Sequence, residues 1–133
     1  WLANYQPNKS WMAQGSKTLS IKEQKILLFS LISQHWFKQF ESRMQAEPDS
    51  HMEWPKINHA KCHNGAWIDR EQQLLLFDAN WLDQLNQTHK LMHQLAFDLM
   101  QKYNSGDLLT AREGLAELQL DLESINKLLK QYK

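Results

Sequence analysis

Six histidines and one cysteine are the residues of this 133-residue chain best suited to chemistry: His35, His51, His59, His63, His89, His93 and Cys62. His89 and His93 are four apart in a segment with helical spacing, so their rings project from adjacent turns of one face, about 5–6 Å apart. Such a pair is a ready metal chelate. Taken alone, it is equally a core histidine with a half-exposed neighbour. Cys62 stands in His59-Ala60-Lys61-Cys62-His63-Asn64-Gly65-Ala66-Trp67, where a glycine and a tryptophan can pin the backbone and cover the thiol. A lone cysteine is otherwise a small buried hydrophobe. His35 is read as lying mid-helix on a face shared with Leu28 and Ile32, where a buried imidazole needs partners for its nitrogens. By itself it is more simply a core histidine. Together, His35, Cys62, His89 and His93 offer four ligands of the number and type that a closed tetrahedral zinc site needs.

A closed site of that kind has no position for a substrate water, so the expectation is a protein that is not an enzyme. The His-Glu-x-x-His hydrolase pattern fails because Lys90 stands where the general base would be. A di-iron bundle fails because paired Glu-x-x-His motifs are absent. Nucleophilic chemistry at Cys62 is disfavoured because its neighbouring histidines are better explained as metal ligands.

Four segments have to hold these ligands in place. Ser20 with Glu23 is a capping-box signature, and the sequence predicts a helix from Ile21 to about Ala46, before Pro48. Its Ile26–Ile32 stretch is apolar around most of the circumference, which predicts burial against both its own bundle and a partner chain. Residues 47–79, broken by Pro48, Pro55 and Gly65, predict one or two short helices joined by turns. Leu82, Leu85, His89, Met92, Ala96, Leu99 and Tyr103 then alternate spacings of three and four, the seam of a long helix from about Asn80 to Tyr103. Asn104-Ser105-Gly106-Asp107 ends it and caps the next. Leu108, Ala111, Leu115, Leu118, Leu122, Ile125, Leu129 and Tyr132 continue the pattern as one helix, with Gly114 on another face. The predicted fold is all-α, an antiparallel four-helix bundle with a short, irregular second helical segment. Residues 1–19, carrying Trp1 and Trp11, read as an extension or linker, and residues 20–133 as the zinc-binding bundle.

Composition agrees with a single folded domain, at 42% hydrophobic and 23% charged residues. Fifteen basic side chains balance fifteen acidic ones, so no net charge draws the chain to nucleic acid or an anionic membrane. Its apolar runs are far shorter than the ~20 residues of a membrane span. One cysteine makes no internal disulfide, which suits a reducing, cytoplasmic compartment. Opening on Trp1 without a leader, the sequence is expected to be an excised or processed piece of a longer protein.

A helix bearing one histidine, then Cys62-x-x-Gly65-x-Trp67, then His89-x-x-x-His93, resembles the bacterial chemoreceptor zinc-binding domain over residues 20–133. Trp67-Ile68-Asp69, and Ala96 three residues after His93, strengthen the likeness. The resemblance implies a cytoplasmic, helical, homodimeric sensor with one zinc held by three histidines and a cysteine. It further implies attachment to an effector, a chemotaxis receptor or a diguanylate cyclase, in the full-length protein. This chain departs from the pattern in three places. Asn64 stands where a hydrophobic residue is usual, Ala66 where a basic one is, and Trp36 follows His35 immediately. His59 and His63 flank Cys62 and rival His35 for the fourth ligand, and His51 reads as a solvated loop residue. The resulting expectation is a zinc-responsive regulatory module, open to oxidation at Cys62. A structural dimerisation bundle without sensory metal is the alternative.

Overall fold

The computed structural model describes residues 19–132, so the extension bearing Trp1 and Trp11 lies outside the described residues but for Leu19. All regular elements among the described residues are helices: α1 (Ile21–Gln45), α2 (His63–Leu74), α3 (Ala79–Asn104), α4 (Leu108–Glu113) and α5 (Leu115–Gln131). Helix α1 begins at the expected capping box. The Ser20 hydroxyl accepts from the Glu23 amide, and the Glu23 carboxylate accepts from the Ser20 amide. In the stretch expected to be broken by Pro48, Pro55 and Gly65 a single helix forms, α2, with Gly65 inside its first turn, and it ends on Leu75 in the left-handed conformation (φ 56°).

The seam predicted on α3 is buried along its whole length, from Leu82 through His89 and Ala96 to Tyr103. It packs against Ala111, Leu115, Leu118, Leu122, Ile125 and Leu129 of α4 and α5. Each large apolar side chain taken fully out of water contributes about 1.5–3 kcal/mol, which makes this seam the mechanical backbone of the fold. Gly106 (φ +96°) takes the left-handed position that the turn after α3 requires. The last helix differs from expectation, because Gly114 interrupts it and separates α4 from α5. Gly114 does not sit on a spare face. A Cβ there would overlap Leu99 Cδ2, so the interruption falls where the Leu99 side chain of α3 takes the space a side chain would need.

Side-chain bonds give the helices their order. Ser30 of α1 meets Asn126 of α5, and Trp81 at the start of α3 donates to the Leu128 carbonyl near the end of α5. Arg112 of α4 donates to the Met44 and Ala46 carbonyls at the end of α1. Helix α2 lies along α1, tied by Asn64 to Ser33 at one end and by Glu71 to Lys25 at the other. Its first turn thereby sits against the middle of α3, where the paired histidines are.

Candidate metal centre

Cys62 is the N-cap residue of α2, yet its side chain makes no capping bond, so the sulfur is free for another use. It is buried (4% exposed) and unpaired with any other cysteine. His89, a seam residue of α3, and His93, one turn further along, are buried beside it at 1% and 2% exposed, with ring centroids 4.5 Å apart. One ligand atom from each of Cys62, His89 and His93 lies within 4.8 Å of the others. Zinc–ligand bonds of about 2.0–2.3 Å place the donors of a tetrahedral ion roughly 3.3–3.7 Å apart. The three side chains would close by about 1 Å to meet that geometry.

Hydrogen bonding shows which ring nitrogens of the cluster are free to hold a metal. His93 Nδ1 lies 2.7 Å from the Ile57 carbonyl oxygen. A carbonyl only accepts, so Nδ1 carries the proton and Nε2 presents its lone pair, the arrangement by which metal-binding histidines are oriented. His93 Nε2 and both nitrogens of His89 are buried with no hydrogen-bond partner. Leaving buried polar atoms bare costs free energy, about 1–3 kcal/mol for each group, and three such nitrogens at one point suit a metal donor set. Electrostatics keep the rings in the ligand form. Burial, with the neighbouring charges of His93 and His59, lowers the His89 pKa to about 3. Burial lowers that of His93 to about 4, against a raising effect of the Ile57 hydrogen bond and with a further lowering by His59. Both imidazoles are neutral at physiological pH.

Helix α1 fronts the pair with aromatic rings. Phe29 sits 6.1 Å from the His89 ring and Trp36 sits 4.7 Å from that of His93, centroid to centroid. Trp67 packs on Phe29 at 5.1 Å. Between Phe29 and Trp36 on that face of α1 stands Ser33, whose hydroxyl accepts from Asn64 Nδ2 at 2.8 Å. Asn64 also donates to the Phe29 carbonyl. The asparagine found where the resemblance leads one to expect a hydrophobic residue is therefore a buried tie between α1 and α2.

His35 is not brought into the cluster. It is exposed, turned off the Phe29–Ser33–Trp36–Phe40 face that packs inward. Its expected company also differs, since Leu28 and Ile32 are only half-buried. His63 and His51 are exposed as well. His59 is half-buried and borders the same groove as His93. The structure thus gathers three of the four expected ligands, and of the remaining histidines His59 is the one that lines a groove with His93. Sequence reasoning missed Ser33 and Asn64, although the Phe29, Ser33, Trp36, Phe40 spacing of four, three and four marks Ser33 as inward and His35 as outward. No family model, curated protein or solved structure matches this chain.

Proposed function

We propose that this chain is a zinc-binding regulatory module, similar to the sensor domain of bacterial chemoreceptors and diguanylate cyclases, with Cys62, His89 and His93 as ligands. The observation that carries the reading is the convergence of three buried donor atoms, among them ring nitrogens that have no other partner. Bound there, zinc would supply a positive charge that a thiolate and neutral imidazoles satisfy, replacing an energetic cost with a strong bond set. The donors come from the start of α2 and the middle of α3, so occupancy changes how firmly those helices are joined. Structural zinc sites contribute about 10–16 kcal/mol in favourable cases, comparable with the ~5–15 kcal/mol stability of a whole domain. Metal loss, or oxidation of the sulfur, then alters helix packing in a way that a fused effector reads.

The reading extends to an antiparallel four-helix bundle acting in the cytoplasm as a homodimer. Exposed Leu27 with half-buried Leu28 and Leu31 leaves apolar surface on α1 that suits a second copy. A regulatory role is favoured over a catalytic one because the cluster contains no carboxylate to serve as general base for a zinc-bound water. Native mass spectrometry of the zinc-reconstituted chain tests the proposal. One zinc per chain, lost in Cys62→Ala, is expected. Wild-type chain that takes up no zinc, with its helix content unchanged by added metal, would refute it.

A further inference from the structure

The three-residue cluster leaves one position of a four-coordinate ion to be filled. We propose that His59 fills it, delivered by the turn before α2 rather than by helix α1, an inference that rests on the metal-binding reading above. Residues 57–62 are held in place by their own bonds. The Asn58 side-chain oxygen accepts from the Ala60 amide, and its carbonyl accepts from the Lys61 and Cys62 amides. This Asx-type turn sets His59 three residues ahead of the sulfur. At one end the turn is fastened to the cluster itself, because the Ile57 carbonyl is the partner of His93 Nδ1.

Gly65 brings the turn against the paired histidines. A Cβ at position 65 would overlap the His59 carbonyl oxygen, and it would lie 3.4 Å from His89 Cε1. The His59 backbone and the His89 ring therefore meet at one glycine in the first turn of α2. His59 also shares with His93 the lining of an open groove, together with Ile57, Lys90 and Gln94. The rival positions lack this placement. His35 and His63 are exposed, and the α1 position facing the pair is Ser33, already engaged with Asn64. The His59 ring is not among the atoms within 4.8 Å, so it joins by turning about its side-chain bonds, which a half-exposed side chain at a groove edge is free to do. Filled in this way, the sphere consists of three imidazoles and one thiolate, and the 57–62 turn is fastened to α3 through both Ile57 and His59.

Titration of the whole chain with Co2+ and Zn2+ tests the inference, using His59→Ala, His35→Ala and wild type, with helix content followed by circular dichroism. Co2+ reports coordination number through the intensity of its visible absorption. Expected are a tetrahedral Co2+ spectrum for wild type and His35→Ala, and for His59→Ala an altered spectrum with Zn2+ affinity reduced at least about tenfold. Helix content equal to wild type shows that the His59→Ala loss is not unfolding. If His59→Ala misfolds, His59→Gln is read in its place. A His59 variant that keeps the wild-type spectrum and affinity overturns the inference and leaves the three-ligand reading standing with a water in the fourth position. So does an equal loss in His35→Ala. Wild type that binds neither ion overturns the metal reading itself.

Discussion

Two buried polar regions of this molecule differ in how far their hydrogen bonds are met. At the far end of α1, Arg43 Nη1 donates to the Tyr103 hydroxyl at 2.8 Å, and Tyr103 donates in turn to the Ala46 carbonyl. The Arg43 guanidinium also stacks over Trp54 and Tyr103, at 4.8 and 5.0 Å from their ring centroids. Between α1 and α2, the buried carboxylate of Glu71 holds Lys25 Nζ through both oxygens, at 2.6 and 2.8 Å. These groups leave one buried nitrogen, Arg43 Nε, without a partner and serve to fix the helices. At the Cys62, His89 and His93 cluster the reverse holds, with three ring nitrogens buried and bare. A core that bonds its glutamate fully and leaves its arginine one bare nitrogen, Nε, but strands three ring nitrogens of two histidines beside a thiol, has at the second place a donor set that could hold a metal.

The sharpest way to break this comparison is to remove a donor from the incomplete cluster. Cys62→Ala is expected to reduce zinc affinity by at least about a hundredfold while leaving helix content unchanged, as measured by competition with a zinc chelator and by circular dichroism. Breaking a complete region should do the opposite. Lys25→Met strands the Glu71 carboxylate, whose side chain is 2% exposed, and is expected to cost about 3 kcal/mol in urea unfolding with little change in the number of zinc ions bound. Tyr103→Phe removes the partner of Arg43 Nη1 and should cost about 1.5–3 kcal/mol by the same measurement. His89→Leu sharpens the contrast most. It replaces an imidazole whose two nitrogens are unpartnered with an apolar side chain, so the metal-free protein should become more stable by about 1–2 kcal/mol even as zinc binding is lost.

The two regions also differ in how well the sequence revealed them. Helix α3 is legible because its seam alternates three and four without a break, and every residue assigned to it is buried, His89 included, with His93 buried one turn on. Helix α1 is less so. Its Ile26–Ile32 stretch is apolar on nearly every side, which blurs the register, and on that blurred register His35 falls in with Leu28 and Ile32. The inward face runs instead through Phe29, Ser33, Trp36 and Phe40, and the small polar Ser33 gave no hydrophobic signal. Gly114 misled for a related reason. Its side-chain-free position looked spare on the helix, but the space belongs to Leu99 of another helix, and contacts between segments have no signature in local spacing. Cys62 and its turn lay between these extremes. Residue types suggested a ligand, while the seating of the turn against His89 depends on Gly65 and on bonds from Asn58 that only the folded chain displays.

X-ray absorption at the zinc edge of the reconstituted chain tests the central claim most directly, because sulfur and nitrogen neighbours are distinguished by distance. One sulfur at about 2.3 Å with the remaining neighbours at about 2.0–2.1 Å is the predicted result. A shell of light atoms alone, with no sulfur, would contradict it.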